Sequence, residues 1–96
     1  MNFEWDLDKA ARNLRKHGIS FHEAATVFGD PFAITFHDPG HSINERRFIT
    51  IGVSNRQRLL ILAHADRREA IRIISARKAT RGERKYYEED QKPKST

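Results

Sequence analysis

Ninety-six residues, 38% hydrophobic and 32% charged with three prolines and five glycines, suffice for one domain with a modest core and do not have the composition of a disordered or fibrous chain. Cysteine is absent, which excludes a disulfide framework, a thiolate nucleophile and cysteine-based zinc or iron–sulfur sites. The longest apolar run, 59–63, is too short to span a bilayer and the N-terminus lacks a basic start before an apolar stretch, so a cytoplasmic protein without membrane contact is expected.

The first strand is expected at 2–5, where Asn2-Phe3-Glu4-Trp5 alternates polar and apolar residues as an edge strand does. Asp6 can cap a helix at 7–17, with Leu7, Ala10, Ala11 and Leu14 as its buried stripe, Lys16 and His17 at the negative end of its dipole and Gly18 as its stop. Ser20 with Glu23 makes a capping box for a second helix that buries Phe21, Ala24, Ala25 and Phe28 and ends at Gly29-Asp30-Pro31. Strands rich in Ile, Val, Thr and Phe follow at 32–36, 47–53, 59–64 and 70–75, separated by turn-like residues. Such short links favour an antiparallel meander, since parallel neighbours need long crossovers. Thr80 with Glu83 forms a second capping box for a last helix at 81–89, and 91–96 reads as a disordered tail. The expected fold is α+β: an N-terminal strand and two helices packed on an antiparallel sheet of three to five strands, with a C-terminal helix, in a single domain over 1–90.

The net charge of +5 is unevenly placed. Residues 1–48 hold six Lys and Arg against seven Asp and Glu, a net of −1, whereas residues 49–96 hold twelve against six, a net of +6. A basic surface in one half attracts phosphate chains by steering and counterion release, although a solvated face kept for solubility has the same composition. The most informative stretch is His64 to Lys78. Alternation turns Arg72 away from the face shared by Ile71 and Ile73, and Arg77 and Lys78 fall where strand gives way to helix, so three cations emerge around one strand end. Guanidinium groups bind phosphate oxygens in bidentate fashion and stay charged, which suits them to charge developing on a phosphodiester. The plainer alternative for Arg72 is a cross-sheet pair with Glu45 or Asp66.

Glu45 and Arg47, two residues apart, place an acid beside a base, for catalysis or as an ordinary surface ion pair. His64 ends an apolar strand next to the basic turn and is the first choice for proton transfer, its alternative being a satisfied strand-end histidine. Arg47, Arg67, Lys78, Arg81 and Lys85 are the expected RNA-binding set. Tyr86 and Tyr87 are candidates for base stacking, at least one being needed to pin the last helix. No metal and no cofactor are expected: His37 and His41 flank Pro39-Gly40 instead of sharing a helix face, and no Gly-rich phosphate loop or nucleophile elbow is present.

Phe3-Glu-Trp-Asp6, Asn13-Leu-Arg-Lys-His-Gly-Ile-Ser-Phe21 and Glu23-Ala-Ala-Thr-Val-Phe28 resemble the BrnT family of toxins. The resemblance continues through Arg47-Phe-Ile-Thr-Ile-Gly52, Arg58-Leu-Leu60, Glu83-Arg84 and Tyr87-Glu88, is most specific at Ile71-Arg-Ile-Ile-Ser-Ala-Arg-Lys-Ala79, and covers about positions 2 to 90. It implies a RelE-like fold, a type II toxin–antitoxin pair of bacteria or archaea, and RNA cleavage that arrests translation. It also implies a BrnA antitoxin whose ribbon–helix–helix part binds operator DNA, so that DNA is contacted only indirectly. Ala65 and Gly82 are slight departures from the family pattern. The chemistry expected is in-line attack of a 2′-hydroxyl on its adjacent phosphate, with His64 or Glu45 as base, Arg72 and Arg77 on the phosphorane charge and Lys78 or Arg47 positioning the backbone. A binding module that grips nucleic acid without cutting it, or a protein-interaction domain, is the alternative.

Overall fold

Asp6 accepts the Lys9 backbone N–H at 2.9 Å and Gly18 adopts a left-handed φ of 71°, so the first helix, α1, runs Leu7–His17 between the expected signals. Its buried residue is not on the expected stripe. Ala10 packs against the core as expected, but Leu7 and Leu14 are 80% and 51% exposed, and the helix is held also by buried Asn13. The Asn13 carboxamide donates to Ile19 O at 3.0 Å and Ala76 O at 2.9 Å and accepts from Ala76 N at 3.0 Å. One side chain thus satisfies both backbone groups of a residue on a strand edge, which a leucine cannot do. Asn13→Ala is expected to cost about 2 kcal/mol, because three buried backbone groups lose their partner; unchanged urea unfolding would show that water replaces the amide.

The computed structural model describes residues 1–41 and 45–91, and of the expected tail 92–96 lies outside the described residues. Ser20 caps α2 (Phe21–Ala25) through Glu23 N at 3.0 Å, after which the chain tightens into a 3-10 turn, Thr26–Gly29, where a continuous helix was expected to Phe28. The capping box is only half made here, since the Glu23 carboxylate turns to Arg58 and Ser54. The box at Thr80 and Glu83 is complete and opens α3 (Arg81–Asp90).

The strands are β1 (Asn2–Glu4), β2 (Ile34–His37), β3 (Arg47–Val53), β4 (Leu59–Arg67) and β5 (Ala70–Lys78), in the sheet order β1-β5-β4-β3-β2. β2 to β5 form the expected antiparallel meander, whereas β1 pairs parallel to β5, making the sheet mixed. The long crossover that a parallel pair needs is supplied by all the chain between them. β4 and β5 each run three residues further than their apolar patterns: β4 pairs on through Arg67 to a turn in which Arg68 takes φ 57°, and β5 pairs on through Lys78, opposite Leu60.

One sheet face carries α1 and α2 over a core of Ile19, Phe21, Ala24, Val27, Leu60, Leu62, Ile73 and Ala76. Phe3 and Trp5 close its β1 side, against Phe28 at 5.4 Å and Phe21 at 6.0 Å. Gly52 belongs to this contact: a Cβ there would lie 2.7 Å from Val27 Cγ1 and 3.0 Å from Ala33 Cβ. Among the described residues the opposite face is covered at one end, where Tyr87 of α3 packs with Ile51 and Leu59.

Candidate nucleic-acid interface

The strand register decides which side chains look out over the uncovered face. Arg47 pairs with Ala65, Ala65 with Arg72 and Arg72 with Glu4, so these four form one cross-strand row. Two residues along lies the row Phe36, Ile49, Ala63, Ser75, and two further the row Ile34, Ile51, Ile61, Arg77. Arg47, Arg72 and Arg77 therefore share a face. Arg72 and Arg77 are five residues apart, which plain alternation would put on opposite faces. A bulge restores them to the same side, because Ala63 pairs with Ser75 and His64 with Ile73, leaving Ile74 as the extra residue.

Each of these arginines faces a carboxylate. Arg47 lies 3.5 Å from Glu45, just before β3, and Arg72 lies 3.2 Å from Glu4 of β1, neither Glu45 nor Asp66 being its partner. Arg77 grips Glu83 with two parallel bonds of 2.8 Å. The bidentate guanidinium, with help from the Thr80 backbone N–H, pushes the Glu83 carboxyl down to about 2, and Glu83 in turn raises Arg77. Glu83 thus caps α3 and orients Arg77 at once, a coupling that its role in the capping-box pattern did not disclose.

Beside Arg77 the sheet and α3 enclose a groove of about 440 Å³ lined by Phe36, Ile49, Ile51, Ile61 and Tyr86. Tyr86 is 48% exposed and leans on Phe36 at 5.6 Å, presenting an aromatic surface next to a cation. Tyr87 has the other role open to the pair. Its hydroxyl donates to Asp30 at 2.6 Å from within the core, and burial, then the Asp30 charge, pushes it up to about 12.

His64 is placed apart from the arginines. It pairs with Phe48 and Ile73 on the helix-bearing face, is 4% exposed and sits edge-on to Phe28 and stacked on Phe48. Its Nε2 is 2.7 Å from Thr50 Oγ1, itself 2.7 Å from Thr35 Oγ1, while Nδ1 has no partner among the described residues. Burial holds its pKa below the usual value, so the ring is a neutral core group. Lys78 pairs with Leu60 and so alternates to that same helix-bearing side, away from Arg77. Arg67 is exposed at the end of β4, in line with Ala65 and hence with Arg47 and Arg72. Arg81 and Lys85 are exposed on α3, roughly opposite the side that carries Glu83 and Tyr86 at 100° per residue. Among the described residues, no three His, Asp or Glu side chains form a metal-binding group.

The chain is thus an α+β protein with a mixed five-stranded sheet, α1 and α2 on one face and, on the other, a mostly apolar groove bordered by the Arg77–Glu83 pair. Residues 5–83 match the family model described as ribonuclease toxin, BrnT, of type II toxin–antitoxin system, and the chain belongs to that family. Its structure is similar to the 1.1 Å crystal structure of the Brucella abortus ribonuclease toxin BrnT, with a TM-score of 0.64 and 25% sequence identity over 84% of this chain and 99% of that one. No curated protein sequence matches. Among the described residues no helix is long and apolar enough to cross a membrane.

Proposed function

We propose that this chain cleaves RNA without a metal ion, by attack of a ribose 2′-hydroxyl on its own phosphate, and thereby arrests translation. The observation that carries this reading is the register that turns Arg47, Arg72 and Arg77 to one sheet face, with Arg77 lining the Tyr86 groove and Arg47 and Arg72 in a row about 13 Å along the strands from it. The 2′-oxygen bonds to phosphorus as the bond to the 5′-oxygen breaks. The 2′-hydroxyl proton passes to Glu45, and the departing 5′-oxygen takes a proton from solvent. Arg72 and Arg77 hold the charge that builds on the non-bridging oxygens, and Arg47 and Arg67 fix the backbone. Tyr86 stacks on a base. Glu45 carries the base role because His64 is buried on the other face; Lys78, Arg81 and Lys85 add long-range attraction only.

The pairing of each arginine with a carboxylate favours a second reading, a module that grips RNA and leaves it intact. Product analysis separates the two. Purified protein, freed of antitoxin and incubated with RNA in EDTA, is expected to leave 2′,3′-cyclic or 2′/3′-phosphate and 5′-hydroxyl ends. Products with 3′-hydroxyl ends, or activity lost in EDTA and restored by magnesium, would rule the mechanism out.

The same reading includes a RelE-like grouping of the fold, a cytoplasmic location and an adjacent antitoxin of the BrnA kind, a ribbon–helix–helix protein that represses its operon. A free ribonuclease would attack the host's RNA, so its cationic face must be masked. The antitoxin is therefore acidic where it meets the cations from Arg67 to Lys85, co-purifies with this chain, and restores growth on co-expression.

A further inference from the structure

We propose that α1 and the open edge of β5 form an entry track for the RNA backbone, leading into the Arg77 groove. Lys9, Arg12 and Lys16 recur at helical spacing and line one recess of about 310 Å³ with Ile74 and Ser75 of β5. That recess shares His17 and Ser75 with a second of about 150 Å³, which in turn shares Ile49, Ile61 and Arg77 with the groove under Tyr86. The three share lining residues in succession, so a chain lying along α1 passes His17 on its way to Arg77.

The surface is built for this by the fold. β1 pairs with Ala70–Arg72, leaving the edge of β5 beyond Arg72 without a neighbouring strand among the described residues, and Asn13 pins α1 to that edge at Ala76. Lys9, Arg12 and Lys16 flank Asn13 on the helix surface, so the row overlooks the edge while the exposed Leu7 and Leu14 lie elsewhere on the helix. Lys9 and Lys16 are separated by about 10 Å of helix axis, near the rise of three stacked nucleotides.

Arg47, Arg72 and Arg77 are each engaged by a carboxylate, but among the described residues Lys9, Arg12 and Lys16 make no ion pair. A phosphate meets them without breaking an ion pair, the nearest carboxylate influence being that of Asp6 on Lys9. They are therefore suited to holding the strand outside the reacting linkage, while the paired arginines are suited to acting on it. The bulge that gives β5 its extra residue places Ile74 and Ser75 in the wall of the track.

The ligand class rests on the RNA-cleavage reading, so the test measures binding apart from cleavage. A labelled 15-nucleotide single-stranded RNA, fully 2′-O-methylated to block attack, is titrated by fluorescence anisotropy across a salt series. The variant Lys9→Ala, Arg12→Ala, Lys16→Ala is expected to bind roughly 100-fold more weakly at 0.1 M salt and to lose about 2 from the slope of log affinity against log salt, as three phosphate contacts to a single strand require. A charge-matched variant, Arg15→Ala, Arg56→Ala, Arg84→Ala, is expected to stay within about threefold of the unaltered protein. With a three-nucleotide probe confined to the groove, the track variant and the unaltered protein should bind alike. An unchanged slope in the track variant, or an equal loss in the charge-matched one, overturns the proposal. So does loss of antitoxin binding with RNA binding intact, which would make the face a protein surface. Normal binding with no cleavage of unmodified RNA would overturn the ribonuclease mechanism and leave the track standing.

Discussion

Arg72→Ala and Arg77→Ala are each expected to lower the cleavage rate at saturating RNA about a hundredfold, the usual effect of removing one donor aimed at transition-state charge, about 3 kcal/mol. The two differ in their side effects. Arg77 holds Glu83, which also caps α3 through Thr80, so Arg77→Ala keeps the cap while returning the Glu83 carboxyl towards its ordinary range. Arg72 is paired with half-exposed Glu4 on the surface of the sheet, and its loss should leave the fold untouched. Lysine at position 77 should recover little, because a point charge cannot reproduce the two parallel bonds by which Arg77 is oriented. Near-normal cleavage by both alanine variants, with native circular dichroism, would reduce the arginines to structural or merely attractive roles.

Arg58→Ala is expected to lower the melting temperature by roughly 10 °C or more, since breaking a buried pair leaves a charge without compensation. Glu23 is 6% exposed and accepts bonds from Ser54 Oγ at 2.7 Å and Arg58 Nε at 2.9 Å, with a further contact from the Arg58 Nη2. Arg58 also reaches Gly18 O at 3.3 Å, so one guanidinium ties the end of α1, the start of α2 and the turn between β3 and β4. The Arg58 and Ser54 bonds hold the Glu23 carboxyl below its usual pKa. A lowered carboxylate pKa stabilises the fold above the unfolded value near 4.5 and loses that contribution as pH falls through the folded value. Melting curves of the unaltered protein should therefore weaken below about pH 4.5, and those of Arg58→Ala should be flatter with pH. A melting temperature within 2 °C of the unaltered protein at pH 7 would show that water or Arg56, 3.9 Å away, replaces the pair.

The helix starts, and the end of α1, were legible because their signals are local. Asp6, Ser20 and Thr80 each bond a backbone N–H three residues on, and Gly18 takes the left-handed turn that ends α1. The strand periods were legible for the same reason, as was the cationic second half. The stripe of α1 was legible at Ala10, which packs on the core, and misread at Leu7 and Leu14, which apolar spacing favoured and which are exposed, the buried contact at Asn13 being polar. Nothing near Asn13 in the chain announces that Ala76, 63 positions on, will present an unpaired edge to it.

The sequence by itself determined the α+β class, the order of elements, a chain of candidate cations and, through the run Ile71 to Ala79, membership of the BrnT family. The tertiary structure decided which of those cations meet. Period-two alternation fixes sides only within an unbulged strand, and the extra residue at Ile74 is what brings Arg72 and Arg77 to one face. Register across strands likewise chose Glu4 for Arg72, buried His64 under Phe28, and sent Lys78 away from Arg77. Those choices follow from which neighbour satisfies each backbone edge and which side chain fits the core, and both depend on residues far apart in the chain.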